Sequence, residues 1–131
     1  MDDSEVAGEI ASGFAGAWNE HDMSALGQVF HHDATFVNVI GTCMRGREDI
    51  ERGHGVAHAG PYRNSALRTE VLDARQIVPD LIVAHLRTEL RGDERAPGQV
   101  QPTLLTLAIE RRAGAWKIIA AHNTRIVTPP G

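Results

Sequence analysis

Along residues 4–19 the apolar side chains Val6, Ile10, Phe14 and Trp18 recur every four positions, with Glu5, Glu9 and Ser12 between them. That spacing sets the four on one stripe of an amphipathic helix. After Asn19-Glu20-His21, Asp22 is placed to cap a short second helix in which Met23, Leu26 and Phe30 repeat at three- and four-residue steps. His31 and His32 then fall at its end, facing solvent. The period next changes to two. Residues 35–40, FVNVI preceded by Thr35, are rich in β-branched and aromatic residues and stop at Gly41, which predicts a first strand with Asn38 inside it.

A short extended piece at residues 42–45 leads to Gly46-Arg47-Glu48-Asp49, whose acidic residues suit the positive end of a third helix running to about His58. Gly60-Pro61 ends it. Extended segments follow at residues 65–78, 81–90, 103–111 and 116–127, separated by Pro79-Asp80, by the Gly- and Pro-containing stretch 92–102, and by Ala113-Gly114. Helices first and strands afterwards predict an α+β fold, a helix layer on an antiparallel sheet. No repeat, linker or low-complexity tract divides residues 1–131, so the chain reads as a single domain with a frayed Pro-Pro-Gly tail.

Within residues 81–90, alternation sorts Ile82, Ala84, Leu86, Thr88 and Leu90 onto one face, suited to the helix layer. Leu81, Val83, His85, Arg87 and Glu89 share the other. A half-apolar outer face of that kind predicts a homodimer.

Composition narrows the function classes. With 131 residues and 42% apolar content, the chain can bury a core without disulfides or metals. A net charge of −4 and no run of Lys or Arg argue against a nucleic-acid partner. No stretch approaches the roughly 18 apolar residues of a membrane span, and the first residues are acidic, so a soluble, cytoplasmic protein with no membrane partner is expected. Cys43 is alone and reads as a packing residue.

The stretch FHHDATFVNVIG at residues 30–41, the preceding WNEHD, the following RGREDI and the late WKIIAAHNT resemble the SnoaL-like, or nuclear-transport-factor-2-like, superfamily. Within it the motifs are most similar to the group named for the enediyne-cluster protein SgcJ and its relative EcaC. The resemblance spans nearly the whole chain. It implies a curved antiparallel sheet wrapped around three N-terminal helices as a cone, with a pocket between sheet and helices, usually in a dimer.

The superfamily includes the ketosteroid isomerases, and the resemblance carries their site over residue by residue. Asn38 falls on the catalytic aspartate, Phe14 on the oxyanion-hole tyrosine and Thr106 on the protonated oxyanion-hole aspartate. None keeps the enzyme's group. An amide takes no proton near neutral pH and phenylalanine donates no hydroxyl, so isomerisation by that mechanism is not expected. His54 falls near a tyrosine of the isomerase network and Asn123 on a pocket wall. Asn38, His54, Thr106 and Asn123 are then expected to converge on a cavity otherwise lined by Phe14, Trp18, Ile119 and Ala121, with His54 the one group suited to proton transfer.

Each residue has a plainer reading. Asn38 can be a buried amide satisfied by backbone, His54 a surface histidine of the third helix, and Thr106 a structural strand threonine. His122 alternates with Asn123, so only a bulge could bring both inward. Arg45 and Arg47 could hold an acidic group at the mouth, though a solvated turn is the simpler role. His54 and His58 have the four-residue spacing of a metal pair, yet no third ligand or HExxH accompanies them, and no GxGxxG follows a strand. No metal or cofactor is expected. The motifs point to a binder of a hydrophobic, oxygenated natural-product intermediate, either a cofactor-free isomerase or cyclase or a non-catalytic binding or dimerisation module.

Overall fold

The computed structural model describes residues 1–129; Pro130 and Gly131, most of the expected tail, lie outside the described residues. Three helices precede most of the sheet: α1 (Asp3–Asn19), α2 (Met23–Gln28) and, after β1 (Phe30–Val37) and β2 (Cys43–Arg45), α3 (Arg47–Ala59). Four long strands complete it: β3 (Ala66–Val78), β4 (Leu81–Arg91), β5 (Val100–Arg112) and β6 (Ala115–Arg125). They form one curved six-stranded sheet in the order β2-β1-β6-β5-β4-β3. Every pairing is antiparallel except β1 with β6, which run parallel because the chain crosses from one edge to the other before β3.

Asp2 caps α1 by accepting the Glu5 N–H at 2.8 Å, and Asp22 caps α2 by accepting that of Ala25 at 3.0 Å. The apolar stripe of α1 buries Val6, Ile10, Phe14 and Trp18 together with Ala7, Ala11 and Ala17. Two polar clamps lay this helix along β3. At one end the Asn19 amide donates to the Leu67 carbonyl at 3.0 Å and accepts the Leu67 N–H at 2.7 Å; at the other, Asp3 accepts the Gln76 N–H at 2.8 Å.

The second helix is shorter than its periodicity predicts, and Phe30 opens β1 instead. His31 is consequently not on a helix end: it is buried in the strand, and its Nε2 lies 2.7 Å from the Glu110 carbonyl oxygen. Cys43 is exposed on the two-sided β2 rather than packed.

The inner face of the sheet is ordered in cross-strand rows. Ile82, Ile109, Ile118 and Phe30 form the deepest and are completely or almost completely buried. Ala84, Leu107, Ala121 and Phe36 form the next, then Leu86, Leu105 and Asn123. Thr88, Thr103 and Arg125 follow, and Leu90 with Gln101 ends the series. Apolar rows fill one end of the cone and polar rows mark the other, so the sequence of the strands itself decides which end stays open.

Candidate functional site

At that polar end a cavity of about 510 Å³ lies between sheet and helices. Such a volume suits a small organic molecule. Its apolar wall is Phe14, Trp18, Phe36, Met44 and Leu67, and its rim carries Asp93, Arg95, Gln99 and Gln101 from the β4–β5 connection and the start of β5.

His54, on α3, stands inside this wall. Its ring is edge-on to Phe36 (centroids 4.9 Å apart), Trp18 (5.9 Å) and Phe14 (6.4 Å). The Nδ1 atom is 2.8 Å from the Ile50 carbonyl oxygen one turn back, an acceptor only, so Nδ1 carries the proton and Nε2 is left with a lone pair. Burial pushes the pKa of His54 down, and the Ile50 hydrogen bond offsets only part of that. The imidazole is therefore neutral at pH 7, a proton acceptor held in an aromatic box.

Asn38 lies one residue past the end of β1, not within it. Its Oδ1 accepts the N–H groups of Thr42 at 2.9 Å and Ile40 at 3.2 Å, which closes the β1–β2 turn. With the oxygen occupied, the amide offers the cavity only its Nδ2 donors. Asn123 resembles it on the neighbouring strand: its Oδ1 is buried without a hydrogen-bond partner, leaving Nδ2 as the edge available to the cavity it lines.

Asp93 is almost completely buried and answers to Arg95, whose Nε and second guanidinium nitrogen lie 3.1 and 3.2 Å from its two oxygens. Burial pushes its carboxyl up, and the Arg95 hydrogen bonds outweigh this, holding Asp93 below the usual carboxylate range. Arg95 in turn lies over the Tyr62 ring, 5.2 Å from its centroid. Among the described residues no group of three His, Cys, Asp or Glu is placed to hold a metal; His54 turns to Ile50 and His58 to His21.

Residues 11–119 match the SnoaL-like domain. The chain belongs to the SnoaL-like domain family. No curated protein matches it. Among solved structures, a Caulobacter vibrioides protein with a cystatin-like fold is 25% identical, with a TM-score of 0.86 over 98% of this chain and 92% of that one. A ketosteroid isomerase-like protein from Erwinia carotovora atroseptica gives 0.75 at 15% identity over 95% and 96%. An NTF2-like protein from Streptomyces avermitilis, named as a candidate dehydratase, gives 0.77 at 15% identity over the same shares. The last two establish the shared fold.

In this SnoaL-like domain five of the residues singled out from sequence line the cavity: Phe14, Trp18, Asn38, His54 and Asn123. Three do not. Thr106 pairs with His85 and His122 on the outer face of the sheet; the inward threonine of β5 is Thr103, hydrogen-bonded to Thr88. Ile119 is the extra residue of a bulge, since Ala108 pairs with Ala120 while Ile109 pairs with Ile118. Ala121 does point inward but sits one row too deep, buried against Phe36 and Leu107. The same bulge reverses the alternation of β6, so Ile118 and Asn123 both face inward and His122 is exposed. Arg47 is no mouth residue: its guanidinium donates to the Phe30 carbonyl and ties α3 to β1. Asp93, Arg95, Gln101 and Arg125 have no motif to announce them; only inward alternation of the last strand could have singled out Arg125.

Proposed function

We propose that this SnoaL-like domain binds a hydrophobic, oxygenated intermediate of natural-product biosynthesis, of the enediyne or polyketide class that its SgcJ/EcaC-like motifs imply. On that intermediate His54 moves a proton in a cofactor-free isomerisation or cyclisation. The observation that carries this reading is the His54 geometry: a neutral imidazole fixed by Ile50, with its free nitrogen in an aromatic box on the cavity wall. Asn38 and Asn123 supply amide donors to orient a carbonyl oxygen, and Phe14, Trp18 and Phe36 supply the apolar wall against which the body of the ligand rests. The protein works in the cytoplasm as a homodimer joined through the outer face of β4.

The test is exchange at carbon. β-Tetralone incubated with the protein in deuterated buffer should lose its α-proton signals faster than in buffer alone. His54→Gln should remove that acceleration while Trp18 fluorescence, read in a Trp116→Phe background, still reports binding. Equal exchange by wild type and His54→Gln would end the role of His54. A second reading, a non-catalytic binding module, is favoured by one observation: His54 is oriented by a backbone carbonyl and not by a carboxylate that could stabilise an imidazolium. Binding without exchange would select it.

A further inference from the structure

The charges on the cavity wall do not cancel. Asp93 and Arg95 form a closed pair, each oxygen of the carboxylate matched by a guanidinium nitrogen and Oδ1 also accepting the Arg95 backbone N–H at 3.0 Å. Arg125 is the third charged residue on the wall, and no carboxylate lies within 4.0 Å of it among the described residues. An uncompensated guanidinium beside a small-molecule cavity stands out in a chain whose net charge is −4.

Two of its neighbours on the wall are amides that can donate to a ligand, and neither is charged. The parallel pairing of β1 with β6 ends at Val37 and His122; Asn38 and Asn123, the residues that follow them, both line the cavity, and Arg125 lies two residues further on the same face of β6. Asn38 has committed its oxygen to the turn, and Asn123 has its oxygen buried. Thr103, level with Arg125, shares a hydrogen bond with Thr88. The edge formed by Asn38, Asn123 and Arg125 thus presents amide and guanidinium N–H groups to whatever occupies the cavity.

We propose that the ligand is an amphipathic acid, an apolar body seated against Phe14, Trp18 and Phe36 with a carboxylate at the mouth, held by the Arg125 fork beside the Asn123 and Asn38 amides. A planar carboxylate suits a guanidinium with two parallel N–H donors. The proposal rests on the reading of the cavity as a small-molecule site, and it adds the charge of the substrate. Arg45 and Arg47, the arginines a sequence reading places at the mouth, take no part.

The experiment compares naphthoic acid with its methyl ester, followed by Trp18 fluorescence in a Trp116→Phe background. Wild type should bind the acid about tenfold more tightly than the ester at low ionic strength, and added salt should erode only the acid's advantage. Arg125→Gln should remove that tenfold preference with the ester unaffected, and Arg125→Lys should restore part of it. Unaltered thermal unfolding of both variants shows that the fold is intact, as expected for an exposed strand-end residue. Equal affinity for acid and ester, or equal weakening of both by Arg125→Gln, overturns the anion site and leaves the cavity reading standing. Failure of wild type to bind either compound overturns both.

Discussion

His21 and His58 meet through their Nδ1 atoms, 2.7 Å apart, joining the turn after α1 to the last turn of α3. One ring must donate and the other accept, so the contact requires that at least one be neutral. His58 is that ring: burial first, then the neighbouring His21 and His54, push it down to about 4 from 6.5. Trp18 and Tyr62 supply the rest of its surroundings, at centroid distances of 4.5 and 6.1 Å.

Above pH 6.5 both folded and unfolded chains keep His58 neutral and it adds no pH dependence. Between 6.5 and about 4 the unfolded chain takes up a proton that the folded chain refuses, so stability falls as pH falls, by roughly 3 kcal/mol from this residue. Burial of His54 acts in the same direction. Urea unfolding across that window should show the decline, and His58→Phe, which keeps an aromatic ring against Trp18, should flatten it by about one proton's worth. An unchanged slope in the variant would mean that His58 is not the refusing group.

Gly92 fixes the rim. Its φ is +82°, and a Cβ there would stand 2.5 Å from the Asn64 carbonyl oxygen and 3.1 Å from the Ser65 Cα. Gly114 has a similar φ of +79° with nothing within 4 Å. Gly114→Ala should therefore cost about 1 kcal/mol of left-handed strain, and Gly92→Ala about 2–3 kcal/mol, because backbone must also move. Thermal unfolding of the two variants separates strain from collision; equal losses would show that the rim yields freely.

Trp18 donates its indole N–H to Ser65 Oγ at 3.0 Å, and Ser65 donates onward to the Tyr62 carbonyl at 2.8 Å. This buried chain joins α1 to the start of β3 behind the cavity wall. A double-mutant cycle of Trp18→Phe and Ser65→Ala should give a coupling of about 1 kcal/mol in unfolding free energy. Additive losses would show that the indole is held by packing alone.

Much of this architecture was legible because it repeats. The four-residue stripe of α1 and the alternation of Ile82, Ala84, Leu86, Thr88 and Leu90 are imposed by burial on one face, and each of these residues is buried. What could not be read was phase and depth. One extra residue at Ile119 reverses the inward face of β6, and no sequence pattern marks it. Thr106 and Thr103 look alike in sequence, yet three residues' separation puts them on opposite faces. The rim residues Asp93 and Arg95 sit in a stretch that reads only as turn, since their pairing depends on how the loop folds back: Glu94 donates its N–H to the Pro61 carbonyl at 3.0 Å.

Asn38 lines the cavity with an amide whose oxygen is spent on a turn. Its carbonyl oxygen holds two turn N–H groups, so Asn38→Ala should cost about 1–2 kcal/mol of stability in urea unfolding. Asn38→Asp retains an oxygen acceptor for both and should remain close to wild type. That variant places a carboxylate where the resemblance to the isomerases expects one, yet it should not accelerate α-proton exchange of β-tetralone beyond wild type. The two N–H groups that brace the turn would hold the new carboxylate ionised and weakly basic, and its lone pairs would point into the turn. Beside Arg125 and Asn123 it should also weaken binding of naphthoic acid and spare the ester. A gain in exchange with Asn38→Asp would mean that the turn opens when the cavity is filled, and the burden of proton transfer assigned to His54 would pass back to this residue.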